Sequence, residues 1–284
     1  MKTKLLLITA LLLTCLTFAL GQSTDPDKIT VPLSDPNRPA FIKVSLISGS
    51  ITVKGYSGKD VIVDATRGDD DENDEDRDSD NDAKTDKKRG LRHIPNLSTG
   101  VTVEEDDNEV TIGTGAMSAG RTLNLTIQVP ANSSMKLSTI NDGDIKVEDV
   151  TGDVEASDLN GAISMKGIKG SVVADALNGE ITVVFTGIDT KKSMSFSSMN
   201  GDIDVTLPAD TKATLKLKND QGEIYSDFDL KMNYSNPLFE DNAARKGKRR
   251  VSMEKMMSAD INGGGGSDML FKNYNGDIYI RKGK

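Results

Sequence analysis

The sequence predicts an all-β protein, a single-stranded β-solenoid built from repeats of roughly 20 residues. Three observations predict it. Apolar residues alternate at period two, with interruptions, from Ile42 to Ile280, bounded by Gly, Asn and Asp. No amphipathic helix of useful length interrupts that alternation. The alternation is organised into an internal repeat that turns on Asn-Gly-like corners.

The first element is an address. Lys2 and Lys4 precede an apolar run from Leu5 to Leu20, and Ala19-Leu20-Gly21 supplies small residues at the −3 and −1 positions of a cleavage site. Residues 1–21 therefore read as a signal peptide, with an apolar run short of the ~20 residues that span a bilayer. Cys15 offers lipoprotein processing as a second route, disfavoured by Thr14 before it and by the apolar residues after it. The expected mature chain starts at Gln22 without cysteine and has no membrane span. It lies in the periplasm, on the outer-membrane surface or outside the cell. Residues 22–40, with Pro26, Pro32, Pro36 and Pro39, read as an extended leader.

Residues 41–284 read as one β-repeat domain. Taking the corner glycine as zero, the repeats centre on Gly49, Gly143, Gly161, Gly179, Gly201, Gly222 and Gly276, with apolar residues at −7, −5, −2, +2 and +4. Around Gly161 these are Val154, Ala156, Leu159, Ile163 and Met165; around Gly276 they are Met269, Phe271, Tyr274, Ile278 and Ile280. An inserted Asp142 shifts the upstream slots of the Gly143 copy by one, to Met135, Leu137 and Ile140. The Gly222 copy is degenerate, with Asp220 and Ser226 in apolar slots. In all, 33 of 35 slots are apolar in a chain that is 36% hydrophobic, so the pattern is not a product of composition.

Each unit supplies two short strands that cannot bury an apolar face alone, whereas stacked units bury a continuous column. All five slots are expected in that column, with a bend between −5 and −2 to accommodate the change of parity and a positive-φ turn at the glycine. The strands at about 101–129 and 269–280 are expected to close the ends. The alternative fold is an antiparallel meander or sandwich, because Asn-Gly is also a hairpin signal. Pairing between residues about 20 apart supports the solenoid, and pairing mirrored across each Asn-Gly supports the meander.

The segments SLISGSITVKGYSGKDVIV, VPANSSMKLSTINDGDIKV, SDLNGAISMKG, DALNGEITV and SSMNGDIDVTLP carry a family resemblance. They resemble the DUF4097-type bacterial β-strand-repeat proteins, an adhesin-labelled family related to the head domains of autotransporter-like adhesins. The resemblance covers roughly residues 41–66 and 101–281. It implies an envelope-exposed β-solenoid and carries over no catalytic residue.

Two charged insertions, 67–100 and 229–262, depart from that pattern. The run Asp69–Asp82 holds ten acidic residues and one Arg, which equals the net charge of −9 for the whole chain. Asp76, Asp78, Asp80 and Asp82 alternate as in calcium loops, but no Gly follows at the sixth position and Lys87 stands where a bidentate Glu belongs. A solvated, self-repelling loop is the reading, with weak Ca2+ association as the alternative. Basic patches follow at Lys84, Lys87, Lys88, Arg89 and Arg92, and again from Arg245 to Arg250. They suit loop solubility or an anionic surface. Met253, Met256 and Met257 suggest at most one short helix, and Gly263–Gly266 a flexible return.

Composition restricts the function classes. One His, one Cys and no Trp leave little for zinc, disulfide or His-triad chemistry. A pI near 4.8 and 4% aromatic residues argue against a nucleic-acid partner. Asp144, Asp153, Asp202 and Asp277 each follow a turn glycine and could align in a row, as carboxylates of β-helix glycan enzymes do. Solvent-facing turn positions account for them equally. His93 reads as an exposed loop residue. The function expected is a non-catalytic, adhesin-like binding or structural module, cofactor-free and monomeric, whose partner is an unknown surface ligand or envelope protein. A signalling partner of a membrane regulator and a polysaccharide-active enzyme are the alternatives.

Overall fold

A computed structural model describes residues 28–68, 100–114, 122–141, 143–233, 239–242, 250–253 and 256–284. The described residues contain strands, turns and bends but no helix. The first strands are β1 (Lys28–Pro32), β2 (Phe41–Ser45), β3 (Ile51–Tyr56), β4 (Asp60–Arg67), β5 (Val101–Asp106), β6 (Glu109–Thr114) and β7 (Leu123–Pro130). There follow β8 (Ser134–Thr139), β9 (Ile145–Glu148), β10 (Val154–Asp158), β11 (Ile163–Gly170), β12 (Val172–Asn178), β13 (Ile181–Ile188), β14 (Met194–Asn200) and β15 (Ile203–Leu207). The last are β16 (Ala213–Gln221), β17 (Ile224–Ser226), β18 (Leu230–Asn233), β19 (Phe239–Asn242), β20 (Arg250–Met253), β21 (Met257–Ile261), β22 (Ser267–Asn275) and β23 (Ile278–Lys282).

Two large mixed sheets result. A ten-stranded sheet runs β1-β4-β7-β3-β9-β11-β13-β15-β23-β17, and an eleven-stranded sheet runs β18-β21-β16-β22-β14-β12-β10-β8-β2-β6-β5. Every repeat sends the strand before its glycine into the larger sheet and the strand after it into the other. Val154 pairs in parallel with Val172, and Ile163 with Ile181, so equivalent slots stack residue upon residue. The two strands flanking each Asn-Gly corner lie in different sheets, so none of the seven corners is a hairpin. The mostly parallel pairing fits a helix-like arrangement of coils.

Period-two alternation explains the core. The −7, −5, +2 and +4 side chains point inward, and Ile163, Met165, Ile181, Val183, Ile203 and Val205 are fully buried. Each such side chain contributes about 1.5–3 kcal/mol through burial. Phe196 stacks on Phe271 with centroids 4.9 Å apart, and Phe185 meets Phe196 edge-on at 6.3 Å, filling space beside Ala174.

Several expectations are corrected. The final repeat does not close an end: β22 and β23 insert between β14/β15 and β16/β17, so the Gly222 coil is terminal in space. The antiparallel strands β21 and β18 extend the larger sheet past it, so the ends of the 229–262 insertion belong to that sheet. Met253 and Met257 lie on strands rather than a helix. Part of the 22–40 leader is also a strand, since β1 pairs antiparallel with β4. At the other end β5, β6, β4 and β7 continue both sheets.

The corner glycines are required for a second reason besides the positive φ expected, which holds at four of the seven. Only Gly49, Gly201, Gly222 and Gly276 have positive φ. All seven share a close approach: a Cβ added at Gly179 would fall 1.9 Å from the carbonyl oxygen of Gly161, and one at Gly161 would fall 2.2 Å from that of Gly143. Each corner therefore seats the backbone of its neighbour. Gly113, by contrast, has nothing within 4 Å of an added Cβ.

Above this glycine column runs an inward row at −3. Thr139 Oγ1 donates to the Gly49 carbonyl at 3.0 Å, Ser198 Oγ to that of Gly179 at 3.2 Å, and Asn273 Nδ2 to that of Gly201 at 3.0 Å. Asn219 Nδ2 donates to the Gly276 carbonyl at 3.0 Å. Asp158 occupies the same row and cannot donate while ionised; its Oδ2 is buried without a hydrogen-bond partner. Burial, with a smaller contribution from the Asp144 charge, raises the Asp158 pKa to about 6 against the opposing Asn160 N–H.

Two predictions follow from the corner. Gly179→Ala should lose at least about 2 kcal/mol in urea denaturation, while Gly113→Ala stays within about 0.5 kcal/mol of wild type. Equal effects would rule out the close approach as the reason for glycine. The second concerns Asp158, whose folded pKa lies above its ordinary value. Its contribution to stability is complete below about pH 4 and is lost as pH rises through 6. Asp158→Asn, which can donate as Asn273 does, should therefore gain up to about 3 kcal/mol over wild type at pH 7.5 and little at pH 4. A gap that does not change with pH would contradict the assignment.

Candidate binding face

The −2 slots, expected inside, are outside. Along β10 and the residue after it, Val154, Ala156 and Asp158 face inward while Glu155, Ser157 and Leu159 face out, because the in–out alternation continues into the slot without a change of parity. β12, β14, β16 and β22 run unbroken through the slot while β2, β8 and β10 end before it, and on every coil the −2 side chain faces out. Ile47, Ile140, Leu159, Leu177, Met199 and Tyr274 are 38–50% exposed and stand in one row across six neighbouring coils. At a strand spacing of ~4.8 Å the row is about 24 Å long. Asp220 holds the slot on the terminal coil and ends the apolar run.

Beside the row lies a second outward row of mostly small residues, Ser45, Ser138, Ser157, Asp175 and Ser197, continued by Lys272 and Lys218. Short side chains next to long apolar ones leave a groove of about 680 Å3, lined by Ile140, Leu159, Leu177, Met199 and Tyr274 on one side. Asp175 sits at its centre. Partial desolvation in the groove raises its pKa and the nearby Glu155 charge adds to the shift, against pulls from Ser197 and Lys272.

On its other flank the apolar row borders the corner asparagines, which form an amide ladder. Asn200 Nδ2 donates to Asn178 Oδ1 at 2.9 Å, and Asn178 Nδ2 to Asn160 Oδ1 at 3.0 Å. Asn275 and Asn160 continue the chain of donors in the same direction at 3.4 Å each. The ladder links the corner amides to one another along the edge of the apolar row.

The structure does not bring the turn carboxylates into a free cluster. Asp144 Oδ1 accepts the Ala162 N–H at 3.1 Å, Asp202 Oδ1 the Asp277 N–H at 2.8 Å, and Asp277 Oδ1 the Glu223 N–H at 2.9 Å. Asp153 lies at a different corner, where it accepts from Ser171 and Lys192. Burial raises the pKa of the Asp153 carboxyl, but those hydrogen bonds outweigh it and hold the value below the usual range. Each of these carboxylates ties one coil to the next. Among the described residues no group of three or more His, Cys, Asp and Glu side chains could hold a metal ion. Asp76, Asp78, Asp80, Asp82, His93 and the basic residues Lys84, Lys87, Lys88, Arg89 and Arg92 lie outside the described residues, as do Arg245 to Arg249.

Sequence reasoning also missed an aromatic pair on the outer face of the ten-stranded sheet. Tyr225 and Tyr279 stack at 5.2 Å and 10°. Arg281 lies over Tyr279 at 5.1 Å while its Nε contacts both Asp204 oxygens at 2.8 Å. Both stand at +3 of consecutive repeats, a position the apolar slot pattern does not include, whereas the Arg281–Asp204 contact joins coils that are neighbours only because β23 inserts beside β15.

No helix among the described residues is long and apolar enough to cross a membrane. No family model matches the chain, and no curated protein does. Among solved structures, the chain is similar to one from Clostridium sporogenes described as a "putative cell adhesion protein", at 10% identity and a TM-score of 0.41. The match covers 90% of this chain and 99% of the other, a likeness too low to carry an argument about function.

Proposed function

We propose that the chain is an exported, non-catalytic envelope protein, a β-solenoid module that binds through the outer face of its larger sheet. One observation supports this reading above the rest: six large apolar side chains are exposed in register. Isolated exposed hydrophobic residues are ordinary, whereas a contiguous row rimmed by polar residues is the mark of an interaction surface. The resemblance of the repeat motifs to the adhesin-labelled DUF4097-type proteins agrees with this role. So does the N-terminal segment, which has the organisation of a cleaved signal.

The non-catalytic reading is supported by the state of the carboxylates. Asp144, Asp202 and Asp277 each spend an oxygen on a backbone N–H of the neighbouring coil, which leaves them poorly placed to act as a free acid–base pair. Structural coupling between coils accounts for their recurrence after the turn glycines.

The test compares wild type with Leu159→Lys/Leu177→Lys, two outward residues whose replacement leaves the core untouched. Fractionation with surface protease digestion should recover wild type from the envelope, with a mature N-terminus at Gln22. Purified protein should bind envelope fractions, and the double variant, with unchanged far-UV circular dichroism, should bind at least tenfold more weakly. Equal binding by the two proteins, or recovery of wild type unprocessed in the cytosol, would contradict the proposal.

A further inference from the structure

We propose that the occupant of the apolar row is a second copy of this chain, lying face to face with its stack of coils running in the opposite direction. The inference rests on the reading of this face as a binding face and names its partner.

Pitch is the first argument. The row repeats at the strand spacing of ~4.8 Å, and another copy presents the same period along its whole length. A helix laid along the row repeats at 5.4 Å and drifts out of register by about 3 Å over five spacings.

Composition along the row is the second. With a two-fold axis parallel to the strands and passing between Leu159 and Leu177, Leu159 faces Leu177 of the second copy, Ile140 faces Met199, and Ile47 faces Tyr274. All six apolar positions are then matched against apolar ones, and Asp220 falls beyond the overlap. Such an isologous contact is self-complementary and closes at two subunits.

Charge is the third. From the Tyr274 strand onward the outer face carries Lys272, Lys216, Lys218 and Lys231 against Asp268, Asp220 and Asp260. Past Ile47 it carries Glu109, Glu104 and Asp106, which outnumber Lys43. Opposed stacks place the basic end of each copy on the acidic end of the other, whereas parallel stacks oppose like with like. The overlapping face, six strands wide and three outward rows deep, buries on the order of 1,000 Å2 in total, the lower limit for a specific contact.

Sedimentation equilibrium of the full chain should show a monomer–dimer equilibrium with a Kd on the order of 10 µM that weakens with salt. Leu159→Lys/Leu177→Lys, which opposes lysines across the contact, should be monomeric with unchanged circular dichroism. In a Cys15→Ser background, a mixture of Ile47→Cys and Tyr274→Cys copies should be joined by a short bismaleimide, and Ile47→Cys copies alone should not. Monomeric wild type at tenfold higher concentration, a double-lysine variant that still pairs, or cross-linking of Ile47→Cys to itself would overturn the inference. If wild type is monomeric yet the double variant still loses envelope binding, the face binds another partner and only the homotypic pairing fails. If wild type pairs through this face but is neither exported nor envelope-bound, the pairing stands and the envelope reading fails.

Discussion

Coils of this protein come within one strand spacing of each other at the Asn-Gly corner because each corner glycine leaves room for the carbonyl of its neighbour. The rest of the structure depends on that contact. A side chain at the corner would hold neighbouring backbones apart, and parallel ladders in both sheets would lose register together. The seven repeats are accordingly free to vary in slot residues, from Ala156 to Phe196, but not at the glycine.

The tight corner sets the roles of the residues just before it. The side chain at −3 points in beside the neighbouring glycine carbonyl, and most coils place a donor there, such as Thr139, Ser198, Asn273 or Asn219. The one at −1 lies along the corner, where Asn160, Asn178 and Asn200 satisfy one another. Between them, −2 must face solvent. An apolar residue gains nothing from the core in that position, yet six coils carry one. The fold does not require that recurrence, which is the observation behind the proposed binding face.

Much of the fold was legible in the sequence. The repeat frame, the corner glycines and the inward slots at −7, −5, +2 and +4 follow from period-two alternation alone. The direction of the −2 side chain was misread because an apolar letter was equated with burial. The parity of the slots held the correction, since −2 is out of phase with −7 and −5, and a strand that simply continues puts it outside. Polar residues at −3, such as Asp158 and Asn273, obscured the true inward row. The spatial order of coils was not visible, because sequence order is the only order a repeat alignment offers. One signal pointed to it: the degenerate Gly222 copy, with Asp220 and Ser226, has the polar character expected of a terminal repeat. Positive φ accounts for glycine at four of the seven corners, and the close approach shared by all seven was missed because it leaves no trace in a single sequence.

The most direct test of the account compares two residues placed symmetrically about Gly161: Leu159 at −2 and Ile163 at +2. Urea denaturation of Leu159→Lys should give a stability within about 0.5 kcal/mol of wild type, as expected of an outward surface position. Ile163→Lys, which buries an unpaired charge in the continuous core, should abolish cooperative folding. If Leu159→Lys proves as damaging as Ile163→Lys, the apolar row belongs to the core and the protein has no such binding face.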